Sequence, residues 1–201
     1  MKFLIRSFSY IFHPLFMPLS GVLYYFYISP RYFNNEFMYS KVFAAAIMTT
    51  VIPILSFYML KNLQLVSSIH LKDVRERKWP LLMQMVFIFL LIRLIFDGYE
   101  IPALYFFFVG ILGASSGAFL LSLFKFKASL HMIGLSGVLF FIIGLSLHYG
   151  SNMLPWIAVG IFACGATATS RLDAKAHTPI ELIIGFIIGA ASQFLVYPYW
   201  L

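Results

Sequence analysis

Apolar runs long enough to cross a lipid bilayer follow one another along almost the whole chain, separated by short polar segments. The 201 residues are 62% hydrophobic and only 10% charged, which is far from the composition of a soluble domain. A membrane-spanning helix needs roughly 20 mostly apolar residues, so there is room for six or seven spans and no separate soluble domain. We predict an all-α, polytopic transmembrane bundle of about seven spans that forms one domain over residues 1–201.

Prolines, glycines and charges set the expected limits of the spans. His13-Pro14 should bend the first one, because proline removes a backbone donor. Arg93 and Asp97, four residues apart, are expected to pair at the membrane boundary. We expect the spans at about 9–29, 42–60, 80–96, 103–124, 130–147, 154–169 and 179–197, with polar connections at 30–41 and 61–79, and small-residue packing faces at Gly113/Gly117 and Gly185/Gly189.

Charge bias predicts the orientation. Seven spans place the amino terminus and segments 61–79, 125–131 and 170–178 on one side of the membrane. Eleven of the 14 Lys and Arg residues fall on that side, against Arg31 on the other, with Lys41 and Arg93 left aside because they lie at the edges of spans. The positive-inside rule therefore makes that side cytoplasmic. The net charge of +7 is spread over short loops, which favours an anionic lipid or phosphate over nucleic acid as the partner.

A polar, cationic hinge lies between the last two apolar runs. It reads Ser-Arg171, five residues, His177, three residues, Glu181, three residues, Gly185. This spacing resembles the third signature of the type 2 phosphatidic-acid phosphatase superfamily, in which the acid is usually Asp. The resemblance implies that His177 is a nucleophile that forms a phosphohistidine, that Arg171 binds phosphate and that Glu181 orients His177.

Two further segments resemble the other signatures of that family. Ala-Ser129-Leu-His131 is similar to Pro-Ser-Gly-His, which implies that His131 is the general acid and then the base, and that Ser129 binds phosphate. Lys72 and the proline eight residues later keep the spacing of the first signature, but tryptophan stands where the family has arginine. Arg75 and Arg77 are therefore the candidates for the missing guanidinium, and Lys72 for a phosphate ligand. The three signatures cover residues 72–185.

Simpler interpretations remain open for the same residues. Thr178-Pro-Ile-Glu181 is also a helix capping box, in which Glu181 only caps. His131 alone is more often an interfacial side chain than an acid. A basic loop such as 72–78 is usually a solvated topology signal.

Together the residues and the resemblance predict a membrane lipid phosphatase that hydrolyses a phosphomonoester or pyrophosphate of a lipid. The resemblance to a bacterial branch implies an integral protein of the bacterial cytoplasmic membrane, with no metal or organic cofactor. The alternatives are an inactive relative that binds lipid or serves as a transport subunit, and a transporter built around Arg93 and Asp97. The sequence leaves the lipid and the oligomeric state open.

Overall fold

The regular structure of this protein is helical throughout the part that is described. A computed structural model describes residues 2–67 and 74–200. Lys72 lies outside these ranges. Nine α-helices occur in them: α1 (Lys2–Ile11), α2 (Met17–Ile28), α3 (Asn35–Ala46), α4 (Ile52–Asn62), α5 (Lys78–Leu94), α6 (Pro102–Leu123), α7 (Leu130–Tyr149), α8 (Leu154–Asp173) and α9 (Pro179–Val196).

These helices combine into seven helical segments. A 3₁₀ turn, Pro14–Phe16, joins α1 to α2, and a π-helical turn, Ile47–Val51, joins α3 to α4. Five segments of the described chain are long and apolar enough to cross a membrane, which indicates an integral membrane protein. They are Ile5–Ile28, Asn35–Asn62, Pro102–Leu123, Leu130–Tyr149 and Pro179–Trp200.

The expectation of about seven spans is met only in part, because α5 and α8 do not qualify by length and hydropathy. Helix α5 has 17 residues, so its length is about 25 Å at 1.5 Å per residue, against a hydrocarbon core of about 30 Å. Helix α8 has 20 residues, but small and hydroxyl residues fill its second half and Arg171 and Asp173 end it.

Two local predictions are wrong. The polar connection expected over 30–41 is shorter, because Asn34 accepts a hydrogen bond from the Glu36 amide at 3.1 Å and starts α3. The expected Arg93–Asp97 ion pair is absent from the described ion pairs. Asp97 instead accepts a hydrogen bond from the Tyr99 amide at 2.7 Å and forms a local turn.

Helix α7 is the centre of the bundle and packs against α2, α6, α8 and α9. Its closest partner is α9, because Gly185 and Gly189 let the two backbones approach. A Cβ at Gly185 would lie 2.7 Å from the Ser129 carbonyl oxygen, and one at Gly189 would overlap the Ile133 carbonyl. The predicted packing face on α9 therefore forms, whereas a Cβ at Gly113 on α6 would have no neighbour within 4 Å.

Polar contacts collect at the two ends of the bundle. At one end the first turns of α5, α7 and α9 meet the last turns of α1 and α8. At the other end Arg31 donates to the Glu100 carbonyl at 2.8 Å and Lys41 to the Ile95 carbonyl at 2.5 Å. Between the ends lies an aromatic core in which the Phe107 and Phe141 rings stack with centroids 4.2 Å apart.

Candidate functional site

His177, just before α9, forms a hydrogen-bonded pair with Glu181 in the first turn of that helix. The His177 side chain is 2% exposed, and its Nδ1 lies 2.8 Å from Glu181 Oε2. A carboxylate oxygen can only accept, so Nδ1 carries the hydrogen and Nε2 keeps a free lone pair. An imidazole with a free Nε2 lone pair is a competent nucleophile at that nitrogen.

The same carboxylate also caps α9. Glu181 Oε2 accepts from the Thr178 amide at 3.1 Å, and the Glu181 amide donates to Thr178 Oγ1 at 3.4 Å. The capping and orienting interpretations of Glu181 are thus compatible, since one oxygen does both. The Glu181 carboxylate can reach the His177 ring because His177 lies outside the helix, one residue before the cap residue Thr178.

Ser129 lies beside this pair, at the residue before α7. It is fully buried, and its amide donates to the Glu181 carbonyl at 3.1 Å. Its hydroxyl has no hydrogen-bond partner among the described residues. Leaving a buried hydroxyl without a hydrogen-bond partner costs about 1–3 kcal/mol of stability. The Ser129 hydroxyl is therefore free to donate to a bound ligand.

His131, two residues into α7, is buried and held by α1. Its Nε2 lies 3.1 Å from the Ser9 carbonyl oxygen, and its ring centroid lies 5.4 Å from that of His13. The amide of Ser129, two residues before His131, donates to the carbonyl of Glu181, the partner of His177. The two histidines of the family resemblance therefore lie at the same end of the bundle.

Two arginines bring positive charge to the same place. Arg77 is buried, and its Nη1 donates to the Ala128 carbonyl at 2.9 Å. Arg171 is half-buried at the end of α8, and its charge acts on both His131 and His177. The Nε atoms of Arg77 and Arg171 have no partner in the described part of the chain, so both guanidinium groups keep hydrogen-bonding capacity.

Lys127 is a third cation near His177, beside Arg77 and Arg171. Its Nζ donates to the Ala176 carbonyl at 3.3 Å, next to His177. Burial lowers the pKa of Lys127, and the nearby charge of Arg77 adds to this effect. Burial likewise lowers the pKa of Arg77 to about 10, so Arg77 remains cationic at neutral pH. One carboxylate does not balance the charge of several partly buried cations, so this cluster favours the binding of an anion.

Burial is the main cause that lowers the pKa of His177 to about 4. The hydrogen bond to Glu181 acts in the opposite direction, and the charges of Arg77 and Arg171 lower the pKa further. His177 is therefore neutral at physiological pH. Neutral imidazole is the nucleophilic form, because protonation removes the lone pair on Nε2.

Not every expected residue joins this group. Arg75 is exposed and lines a separate cavity of about 220 Å³ with Ser122 and Lys125, whereas Arg77 points to the site. Of the two candidates for the missing guanidinium, Arg77 thus has the position. Lys72 lies outside the described residues, and Arg93 and Asp97 lie at the other end, beside a cavity of about 880 Å³.

Sequence reasoning missed the contribution of α1. Ser9, His13 and Arg6 reach the site end: Ser9 Oγ lies 2.6 Å from Ser170 Oγ, and Arg6 Nε lies 3.3 Å from Asp173 Oδ2. The signal was present in the spacing. Ser9 and His13 are four residues apart on one helical face, immediately before the proline that breaks the first span.

Comparison with known proteins adds no assignment. The chain matches no protein-family model, no curated protein and no solved structure. The resemblance to the phosphatase superfamily therefore depends on the residues described above. Within the described ranges, no group of three or more His, Cys, Asp or Glu residues has the arrangement needed to hold a metal ion.

Proposed function

We propose that this protein is a membrane phosphatase that removes a phosphoryl group from a lipid. The observation that carries the proposal is the part-buried His177–Glu181 hydrogen bond of 2.8 Å, placed beside Arg77 and Arg171. A metal-independent phosphatase needs a nucleophile, fixed cations and a proton donor. His177, the two arginines and His131 meet these three needs.

The reaction proceeds in two steps. His177 Nε2 attacks phosphorus, the bond between phosphorus and the lipid oxygen breaks, and protonated His131 gives its proton to the leaving oxygen. Water then attacks phosphorus, the bond between phosphorus and His177 Nε2 breaks, His131 takes a proton from that water, and inorganic phosphate leaves. Arg77, Arg171 and the Ser129 hydroxyl hold the phosphoryl oxygens, and Glu181 keeps the hydrogen of His177 on Nδ1.

The substrate is a lipid phosphomonoester or pyrophosphate whose tails stay in the bilayer. A lipid suits the site because the cations lie at one end of apolar helices, so a phosphate reaches them while its tails remain between lipid chains. The same charge bias favours a site that opens on the cytoplasmic side of a bacterial inner membrane.

A phosphate-release assay tests the proposal. The purified protein is incubated with phosphatidate, phosphatidylglycerophosphate, a polyprenyl pyrophosphate and a lipopolysaccharide anchor, each with and without a chelator. We expect release from at least one lipid, unaffected by the chelator and lost in His177→Ala. His148→Ala is the matched control, since His148 ends α7 at the opposite end of the bundle. Equal release by His177→Ala and the wild type contradicts the mechanism.

The orientation has its own test. In a Cys164→Ser background, Lys175→Cys places a thiol on the exposed turn before His177, and Tyr99→Cys places one at the other end. In intact cells a membrane-impermeant maleimide should label the cysteine at 99 and spare the one at 175. The reverse pattern would put the site outside the cytoplasm.

The second candidate is an inactive relative that binds the lipid phosphate. Its motivation is the loss of family residues next to the site, with Trp79 in place of arginine and Leu130 in place of glycine. It predicts lipid binding that requires Arg171 with no turnover of any lipid in the assay.

A further inference from the structure

Pro14 shapes the carboxyl end of α1. Proline forces the residue before it towards extended backbone, and His13 adopts φ −67° and ψ 135°. Helix α1 therefore ends at Ile11. The imidazole of His13 then caps the next turn, since its Nδ1 accepts from the Leu15 amide at 3.3 Å.

The break changes the hydrogen-bonding role of one carbonyl. In an uninterrupted helix the Ser9 carbonyl would accept from the His13 amide. With His13 extended, that carbonyl belongs to the last turn of α1, whose carbonyls need partners from elsewhere. It accepts instead from His131 Nε2, at 3.1 Å.

This contact defines the hydrogen positions on His131. The Ser9 carbonyl can only accept, so the Nε2 of His131 bears a hydrogen and Nδ1 is the nitrogen left to exchange protons. The other charged or titratable groups around the ring are Arg171 from α8, His13 from the α1–α2 turn and His177 before α9.

Several contacts hold α1 in this position. A Cβ on Gly134, one turn after His131 in α7, would lie 2.9 Å from Met17 Cγ and 3.5 Å from Pro14 Cα. Glycine at 134 thus leaves room on α7 for the Met17 side chain, which directly follows the proline turn. The Ser9–Ser170 hydrogen bond and the Arg6–Asp173 ion pair fasten the same end of α1 to α8.

We infer that the carboxyl end of α1 is part of the proton-transfer machinery of this protein: the backbone carbonyl of Ser9 is the positioning group of His131, and Pro14 makes that carbonyl available. His131 then gives and takes the catalytic proton at Nδ1, while its other hydrogen stays on Nε2 and is donated to the Ser9 carbonyl. This inference rests on the proposed function for its catalytic meaning, but the tautomer it requires is a property of the protein without substrate.

The test reads the tautomer directly. Protein labelled with ¹⁵N-histidine is studied by NMR in detergent micelles without any ligand, and the His131 signals are assigned by their loss in His131→Gln. Pro14→Ala restores an amide and permits His13 to rejoin the helix, and Gly134→Ala crowds the Met17 side chain that directly follows the proline turn. Pro18→Ala and Gly113→Ala are the matched controls, because neither touches the Ser9–His131 contact.

We expect the wild type and both controls to show His131 with hydrogen on Nε2. Pro14→Ala and Gly134→Ala should show a mixture of tautomers. In mixed micelles of phosphatidate their kcat should fall about tenfold or more with KM within about twofold, because general acid–base catalysis contributes about 100- to 10,000-fold.

An Nε2–H tautomer that stays unchanged in both Pro14→Ala and Gly134→Ala overturns the inference. So does a wild type in which neutral His131 has its hydrogen on Nδ1 and none on Nε2. The two proposals fail separately. If Pro14→Ala changes the His131 tautomer but the protein releases no phosphate from any lipid, the phosphatase proposal is refuted. If the protein releases phosphate but its His131 tautomer does not change in the variants, only the role of α1 is refuted.

Discussion

The amide of Ser129 donates a hydrogen bond to the carbonyl of Glu181 at 3.1 Å. This bond joins the segment before α7 to the first turn of α9, so the two segments that resemble phosphatase signatures form one unit. It also uses the Ser129 amide as a donor within the protein. Contact between Ser129 and a phosphate must therefore come from the side-chain hydroxyl.

Gly185 permits this junction. A Cβ there would lie 2.7 Å from the Ser129 carbonyl oxygen and 3.2 Å from the Ser129 nitrogen, and backbone cannot move aside as a flexible side chain can. We predict that Gly185→Ala lowers stability by about 1–3 kcal/mol, as overpacking does, and lowers phosphate release. Gly113→Ala should leave both nearly unchanged, because a Cβ at that position has no neighbour within 4 Å. Thermal unfolding in detergent compares them, and equal midpoints would contradict the close packing.

Replacing Glu181 separates its two roles. Glu181→Gln keeps an oxygen that can accept from the Thr178 amide but removes the charge that faces His177. We expect the thermal midpoint to stay within a few degrees of the wild type and kcat to fall by about 10- to 100-fold, part of what acid–base and orienting groups contribute. The control is Thr178→Ala, which removes the Thr178 half of the capping box and leaves the carboxylate. A larger loss of kcat in Thr178→Ala than in Glu181→Gln would show that capping dominates.

Ser129→Ala should have opposite effects on stability and activity. Its buried hydroxyl has no protein partner, so removal relieves an unsatisfied group and the thermal midpoint should stay the same or rise. Loss of a hydrogen bond to a charged phosphate should weaken catalysis, by about 1.5–3 kcal/mol in kcat/KM. Ser136→Ala in the same helix is the control, because the Ser136 hydroxyl donates to the Ile133 carbonyl at 3.3 Å. Unchanged kcat/KM in Ser129→Ala would remove Ser129 from the site.

The lowered pKa of His177 predicts how stability depends on pH. The ordinary pKa is 6.5 and the folded value is about 4, so on acidification the unfolded chain takes up the proton first. Stability is therefore lost as pH falls from about 6.5 to about 4 and changes little from this group below that range. Thermal unfolding of His177→Asn should show a shallower decline over the same interval. Identical slopes for the variant and the wild type would contradict burial of a neutral His177.

Much of this architecture follows from local signals in the sequence. Apolar runs gave the helices, the His13-Pro14 break appeared where expected, and Gly185 and Gly189 do form a close packing face. These features depend on backbone chemistry and on hydropathy, which act over a few residues. The failures were of another kind. Arg93 and Asp97 have the spacing of neighbours on a helix, but α5 ends at Leu94, before it reaches Asp97. The Asp97 side chain instead accepts a hydrogen bond from the amide of Tyr99.

The site was only partly predictable for a similar reason. The spacing that resembles the phosphatase signatures indicated His131, His177, Glu181 and Arg171 as candidates. Spacing along the chain does not indicate which distant backbone atoms a side chain contacts. The Ser9 carbonyl is 122 residues away from His131 in the chain and is defined by how α1 packs. The choice between Arg75 and Arg77 likewise depends on a 3₁₀ turn that directs one inward and leaves the other exposed.

The most direct test of the central claim is to trap the phosphorylated enzyme. The wild type, His131→Ala and His177→Ala are incubated briefly with ³²P-labelled lipid phosphates, quenched with alkali and mapped by mass spectrometry. We predict an acid-labile phosphoryl group on His177 that accumulates in His131→Ala, which cannot activate the water of the second step, and is absent from His177→Ala. Phosphate release without any label on His177 in the wild type or in His131→Ala would contradict nucleophilic attack by this histidine.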